Sequence, residues 1–411
     1  MVRIAARISR MLTVALATAL GPAGASAEDA GSNGDAAASA PAAAVERLFG
    51  DEPPSPGWFS ESFLAAVPSA RVAAIVNGIV ADFGSFVGVR MNDGEGTVVF
   101  ERAVVPVTVS LDAEGRIAGL MFGPPVPTGG DPAAVAALVE DAAEGEVAIL
   151  AAVDGTPLVA RDADRPMAVG SAFKLFVLSA YEAAVAEGRL RRDAVVELTE
   201  ADRSLPSGVL QTLAPGTPVT LELLAGLMIQ HSDNTATDAL MRVLGRDAVD
   251  AALPRGAPVP TTSELFKLKA AGAAARRRAY AEGDEATRRA ILEGLADEPL
   301  PTAARIEATA SWRDVEWFVT ARELCAVLLR LRDAPALGGA PNPLVAREGW
   351  PWVGFKGGSE LGVLNLGAAG VSPSGRTACA VVTANGDGAQ PEERIALLFS
   401  ALFRSLDDAA R

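Results

Sequence analysis

The sequence predicts an α/β (α+β) chain of two domains, and three patterns predict it. Helical apolar spacing over Phe59–Phe86 gives way to short strand-like runs. A cluster of Pro124, Pro125, Pro127, Gly129 and Gly130 then punctuates the chain as a linker. From Asp131 onward, strand patterns at both ends enclose a long, mainly helical middle, so the strands must meet in one antiparallel sheet flanked by helices, with an all-helical subdomain beside it.

In chain order, Arg3, Arg7 and Arg10, the apolar stretch Met11–Leu20 and the small residues Ala25-Ser26-Ala27 read as a secretory signal peptide over 1–27. The apolar stretch is short for a membrane span, so none is expected after cleavage, and the chain is expected to be exported to a periplasm or to the medium. Residues 28–44, rich in Ala, Gly, Ser and Asp, read as a flexible leader. The first domain is expected over 45–128. Its apolar positions Phe63, Leu64, Val67, Val72, Ile75, Val76 and Ile79 keep helical spacing, and Thr97–Phe100, Val104–Val109 and Ile117–Phe122 alternate as strands. The second domain, 129–411, opens with a helix. Glu146–Val153 and Thr156–Arg161 then form a hairpin around Asp154-Gly155. Gly354–Leu366 and Gly375–Asn385 are strand-rich, and Pro391–Leu406 is an amphipathic helix.

Composition narrows the chemistry. The chain of 411 residues carries a net charge of −15 and no long basic run, which argues against a nucleic-acid partner. It has one histidine, His231, and four lysines. A His-rich metal site is excluded and no cofactor is expected. His231 lacks an obvious carboxylate orienter and is expected to be a packed polar residue rather than a base. A serine nucleophile must then draw its base from lysine. Cys325 falls in a helical pattern and Cys379 in a strand pattern, and two buried free thiols are expected in preference to a bridge.

Two of the four lysines sit in short motifs with serine. Ser171-Ala-Phe-Lys174 opens a helical run, and at i and i+3 the two side chains share one face at the positive end of the helix dipole. A lysine with an ordinary pKa near 10.4 must lose roughly three units, on the order of 4 kcal/mol, to act as a base near neutrality. Burial among Phe173, Leu175 and Phe176, with a second ammonium nearby, supplies such a shift, and Lys356 is the candidate for that second charge. Ser232-Asp233-Asn234 lies between two helical runs, where a hydroxyl can relay a proton and an amide can bind substrate; capping of the second helix is the equally weighted alternative. Lys356-Gly357-Gly358-Ser359 sits in a strand pattern whose glycines admit a substrate backbone and leave the Ser359 N–H for an oxyanion.

Together these motifs resemble the penicillin-recognising serine enzymes, most closely the class A β-lactamase group, which uses Ser-x-x-Lys, Ser-Asp-Asn and Lys-Thr-Gly in this chain order. Gly170-Ser-Ala-Phe-Lys-Leu and Gln230-His-Ser-Asp-Asn-Thr-Ala match in context, and the pattern spans Asp131 to the end. With the small domain before it, the layout is similar to the clavam-biosynthesis-associated serine hydrolases, which join a steroid-isomerase-like (NTF2-like) domain to a β-lactamase/transpeptidase-like one. The resemblance implies Ser171 as acylated nucleophile, Lys174 as general base, Ser232 as proton shuttle and Lys356 as the group that orders the site and attracts a carboxylate. It further implies the Ser171 and Ser359 N–H groups, beside Gly358, as oxyanion hole and Asn234 as contact to a substrate amide. The expected partner is a small molecule, a β-lactam, ester or D-amino-acid peptide, acted on by a monomer.

The chain departs from that pattern in two places. No asparagine stands between Asn234 and Asn342, so the Glu-x-x-x-Asn pair that hydrolyses the acyl-enzyme is missing. Glu264, Glu307 and Glu316 lie in the interval and could position a water differently, but each is expected at the surface or in a cap. The extra helical stretch 262–295 could be a lid or an added wall over the site, with a solvated insertion as the preferred expectation. Gly357 replaces the usual hydroxyl residue of the third motif, a loss that Ser359 can offset. Asp82, Asp93 and Asp112 of the first domain are not expected to be catalytic. An esterase or D-alanyl-D-alanine carboxypeptidase is the nearest alternative to a β-lactam hydrolase, and a non-turnover β-lactam or cell-wall binder is the alternative of another class.

Overall fold

The computed structural model describes residues 40–410, apart from 93, 124, 129, 303–304, 307–312, 339–343 and 346–349. The expected signal peptide lies outside the described residues. Among those described, no helix is long and apolar enough to cross a membrane. The chain divides into two compact units, Met1–Gly129 and Gly130–Arg411.

The first unit sets helices α1 (Ala40–Glu46), α2 (Glu61–Ala66) and α3 (Ser69–Phe83) before the antiparallel strands β1 (Phe86–Asn92), β2 (Glu95–Phe100), β3 (Ala103–Leu111) and β4 (Ile117–Phe122), paired in that order, with β5 (Val126–Pro127) on β3. Val72 and Val76, one helical turn apart, point α3 into a core with Val45, Leu48, Phe100 and Ile117. The sequence differs from its expectation at two points. Helix α1 begins inside the segment expected as leader: alanine is the best helix former, and Ala42 and Ala44 are buried. The helical pattern expected to reach Phe86 stops at Phe83, and Phe86–Asn92 is an edge strand that sequence reading missed: Val87, Val89 and Met91 do alternate with Gly88 and Arg90, but the helical spacing before them runs on to Phe86 and a register shift between Phe86 and Gly88 opens the strand.

The second unit opens on α4 (Pro132–Ala142), started by Asp131 accepting the Ala133 N–H and by Pro132 in the first turn. The hairpin β6 (Glu146–Val153) and β7 (Thr156–Arg161) follows, then the short β8 (Met167–Ala168) and helix α5 (Lys174–Ala186). A ribbon of β9 (Val195–Glu197) and β10 (Pro218–Thr220) precedes the helical middle: α6 (Leu221–Gln230), α7 (Asn234–Leu244), α8 (Arg246–Ala252), α9 (Thr262–Leu268), α10 (Ala274–Glu282) and α11 (Glu285–Gly294). Strand β11 (Phe318–Val319) pairs with β8, and α12 (Ala321–Arg330) leads to β12 (Trp352–Glu360), β13 (Val363–Val371), β14 (Thr377–Asn385) and α13 (Glu392–Arg404). The sheet runs β12-β13-β14-β6-β7, antiparallel throughout, so strands from both ends of the segment meet as expected. Gly354–Leu366, expected as one strand-rich run, is two strands with a turn between Glu360 and Val363.

Helix α5 crosses the middle of the core. Leu175, Phe176, Val177, Leu178 and Tyr181 are all buried, at roughly 1.5–3 kcal/mol each for the larger side chains. A helix apolar on every side is a buried helix, so its one lysine is carried inside with it.

Cys325 on α12 and Cys379 on β14 form a disulfide, against the expectation of free thiols. The local pattern around each cysteine predicts a buried setting, but only the packing of α12 on the sheet brings them together across 54 residues. Loop closure of that length is worth about 4 kcal/mol in the chain-entropy estimate. Cys325→Ser/Cys379→Ser is expected to lower unfolding free energy by about 2–4 kcal/mol in a denaturant titration, with the m-value the observable that reports any change in the unfolded chain.

Candidate active site

The turn that carries Ser171 is built from both sides. Asn385, buried at the end of β14, accepts the Ala168 N–H at 2.9 Å and donates to the Ala168 carbonyl at 2.9 Å, which fixes β8. The Val169 N–H donates to the Trp317 carbonyl at 3.1 Å, and the Trp317 ring stacks on Phe173 with centroids 3.7 Å apart. Gly170 then takes φ +49°, a left-handed conformation that a side chain would strain, and starts the 3₁₀ turn Gly170–Phe173 that delivers Ser171 into α5.

Strand β12 is the free edge of the sheet and passes directly over this turn. A Cβ at Gly358 would lie 2.4 Å from the Val169 carbonyl oxygen and 2.5 Å from the Ser171 nitrogen, so only glycine permits the approach. Because alternate strand residues share a face, Lys356, Gly358 and Glu360 all project toward the turn. A Cβ at Gly170 would in turn lie 3.6 Å from the Ser359 nitrogen, so the backbones at Ser171 and Ser359 run close together here.

Lys174 is fully buried. Its Nζ donates to the Ser232 carbonyl and to Asn234 Oδ1, each at 2.6 Å, and lies 3.2 Å from Ser232 Oγ. Two strong acceptors use the two N–H bonds that a neutral amine carries, and leave its lone pair for a hydroxyl. Burial and then the charge of Lys356 push the Lys174 pKa well below its usual value, against the pull of Asp238 and Asp233. Lys356, also buried, donates to the Gly357 carbonyl at 2.5 Å and reaches Ser232 Oγ at 3.1 Å. Ser232 Oγ therefore stands between the two amines.

Asp233 reconciles the two sequence readings of Ser232-Asp233-Asn234. It caps α7 through the Ala236 N–H, and its second oxygen accepts the Val209 and Leu210 N–H groups at 2.7 and 2.9 Å. Its neighbours are the residues that contact the lysines. Ser232 is held at φ +52°, a strained conformation for a serine, while Ser207 Oγ donates to its carbonyl. Asn234 Nδ2 donates to the Leu205 carbonyl at 2.9 Å. Four residues on, buried Asp238 accepts the Thr262 and Ser263 N–H groups and ties α7 to α9, and burial raises its pKa to about 6.

A cavity of about 850 Å³ opens over the turn, lined by Ser171, Ser232, Asn234, Lys356, Gly358 and Ser359 and walled by Phe266 and Leu265 of α9, Trp317, Phe355 and Glu360. Six of the seven residues singled out from sequence line it directly, and Lys174 joins them from beneath. Three expectations need correction. His231 is exposed at the end of α6 on the cavity rim rather than packed, because its α-helix stops there and turns it outward. The stretch 262–295 is no solvated insertion at its start: Leu265 and Leu268 are buried and α9 is a cavity wall, with Arg277 and Tyr280 buried behind it. Glu316, expected at the surface, is buried with Lys269 and Glu360. Glu264 is a helix cap as expected, closing a capping box with Thr261, and Glu307 and Asp93 lie outside the described residues.

Sequence reading missed the Lys269–Glu316–Glu360 cluster. Its one sequence signal is Glu360 itself, an acid four residues after Lys356 in a strand pattern and thus on the same face. Lys269 Nζ donates to Glu360 at 2.5 Å and to Glu316. Burial pushes the Glu316 carboxyl well above the usual range, which favours its neutral form. Burial works against the Glu360 carboxylate too, but contact with Glu316 and the Lys269 ammonium outweighs it and holds Glu360 ionised.

Burial lowers the Lys356 pKa from 10.5 to about 7. The unfolded chain therefore holds a proton that the folded chain lacks between pH 7 and 10.5, and stability gains from this residue as pH rises through that window. Its ammonium fades over the same range. Binding of a carboxylate-bearing ligand such as benzylpenicillin is expected to weaken about tenfold per pH unit above 7, and Lys356→Ala to flatten the profile, as equilibrium binding to the Ser171→Ala protein would measure.

The chain resembles a solved β-lactamase from Sphaerobacter thermophilus at 24% identity, covering 68% of this chain and 98% of that one with a TM-score of 0.47. It resembles a β-lactamase from Desulfarculus baarsii at 21% identity (68% and 98%, TM-score 0.45) and PBP-A at 15% (67% and 94%, TM-score 0.45). No protein of curated function matches. Through residues 133–332, which include the Ser171 turn and Ser232–Asn234, the chain matches the beta-lactamase enzyme family.

Proposed function

We propose that the chain is an exported serine hydrolase of the class A β-lactamase type, which opens a β-lactam or a related ester or amide through an acyl-enzyme on Ser171. The observation that carries this reading is the convergence of two buried lysines, Lys174 and Lys356, on Ser232 Oγ beside the Ser171 turn. In this reading neutral Lys174 takes the Ser171 hydroxyl proton as Oγ attacks the carbonyl carbon. The Ser171 and Ser359 N–H groups receive the oxyanion, a stabilisation of roughly 3–4 kcal/mol per donor. Ser232, between the two amines, passes a proton to the leaving nitrogen or oxygen. The disulfide fits an oxidising compartment, in keeping with a signal peptide over 1–27. The first unit, read as steroid-isomerase-like within a clavam-associated layout, carries no chemistry in this proposal.

An esterase is favoured as the second reading by one feature. Gly357 offers no hydroxyl to a substrate carboxylate, and Lys356 loses its charge near pH 7. Esters also acylate with less help from the site.

Intact-protein mass spectrometry after brief exposure to a penicillin, a chromogenic cephalosporin and an activated ester tests both, with Ser171→Ala as control. An adduct or a product that requires Ser171 is expected. Turnover of the ester alone selects the esterase, a stoichiometric adduct without turnover selects a binder, and activity that survives in Ser171→Ala overturns the assignment.

A further inference from the structure

The acyl-enzyme proposed above must be released, and the Glu-x-x-x-Asn pair of the resembling enzymes is absent. We propose that Glu360 is the general base that activates the water for deacylation, with Lys269 and Glu316 as positioning residues that hold it. The inference rests on Ser171 being the acylated residue.

The geometry points to Glu360 by position. It follows Ser359, the proposed oxyanion donor, and shares a strand face with Lys356 and with Gly358, whose Cβ direction runs into the Ser171 turn. Its side chain therefore emerges beside the nucleophile, one strand step beyond the oxyanion spot, and it lines the same cavity as Ser171. Its partners come from the two segments that wall that end of the cavity: Lys269 closes α9, and Glu316 precedes Trp317, whose ring stacks under the turn. Lys269 and Glu316 are buried, whereas the Glu360 side chain keeps 29% of its surface exposed, which leaves it the member of the cluster that water can reach. Its ion pair with Lys269 keeps it anionic, and neutral Glu316 adds no second charge to repel.

The step balances without a further reagent. Water oxygen bonds to the acyl carbon while Glu360 takes one of its protons; the tetrahedral intermediate collapses, the C–Oγ bond to Ser171 breaks, and that proton returns to Ser171 Oγ. The products are the free acid and the regenerated hydroxyl.

Rapid-quench mass spectrometry with benzylpenicillin, a chromogenic cephalosporin and p-nitrophenyl acetate separates formation of the Ser171 adduct from its loss. In Glu360→Gln, formation is expected within about twofold of the parent protein, with release at least about 100-fold slower, so that adduct accumulates. Glu360→Asp, which keeps the carboxylate but draws it back, is expected to release at an intermediate rate, and it carries the test should the glutamine variant not fold. Release unchanged in Glu360→Gln overturns the proposal. So does an equal slowing of both steps, which would make Glu360 a positioning residue for the Ser359 N–H. A parent protein that acylates and never releases also overturns it while leaving Ser171 as nucleophile. Absence of adduct and product with all three probes overturns this proposal and the functional reading together.

Discussion

Lys174→Ala is expected to slow acylation of Ser171 by about 10³–10⁴-fold without lowering thermal stability. The two halves of that expectation have one cause. An amine sealed in the core of α5, with a second ammonium close by, is held toward its neutral form, and a neutral amine is what the attack on a carbonyl requires from its base. Holding it there costs free energy, because desolvation of the charged form is not recovered by the Ser232 and Asn234 contacts. Removing the side chain removes both the base and that cost. Lys174→Arg is expected to be as inactive, since a guanidinium does not deprotonate near neutral pH. Stopped-flow acylation with a chromogenic substrate, read beside a thermal melt, checks both. A variant retaining more than a tenth of the parent rate would remove Lys174 from the mechanism.

Asp233→Ala is expected to cost about 3–5 kcal/mol of stability and to abolish acylation in the protein that remains folded. This buried carboxylate accepts three backbone N–H groups, from Ala236 in its own helix and from Val209 and Leu210 across the cleft. Each donor left unpaired in the interior costs roughly 1–3 kcal/mol. The same bonds fix the strained backbone of Ser232, so their loss also releases the hydroxyl on which both lysines converge. Asp233→Asn keeps one acceptor oxygen, for the cap or for the loop, and is expected to lose about half as much. A denaturant titration and a substrate burst measure the two effects, and a loss under 1 kcal/mol would show that the cap is replaceable by water.

What could be read in advance followed the range of the interaction. The hairpin Glu146–Arg161 and the helix from Pro391 were legible because strand alternation, an Asp-Gly turn and helical apolar spacing act within ten residues. The edge strand Phe86–Asn92 was missed although Val87, Val89 and Met91 alternate, because the helical spacing before it runs on to Phe86 and a bulge opens the strand. At the site, Ser171, Lys174, Ser232, Asn234 and Lys356 were legible as motif residues, and scarcity of lysine and histidine sharpened them. Glu360 carried only a faint register signal, and Lys269 and Glu316 carried none: they stand 91 and 47 residues from their partners, and nothing local distinguishes a buried carboxylate from a surface one.

Which functional groups this protein has, and which short-range elements carry them, can thus be read from the chain alone, since periodicity, capping and the count of titratable residues are properties of the chain. Only the tertiary structure decided what those groups are. The sheet joining the two ends of the segment brings Lys356 to Ser232, packing seals Lys174 away from water, and α12 meets β14 to close Cys325 onto Cys379. The reason is physical: protonation state, nucleophilicity and covalent pairing depend on burial and on neighbours distant in the chain, and neither exists until the chain is folded.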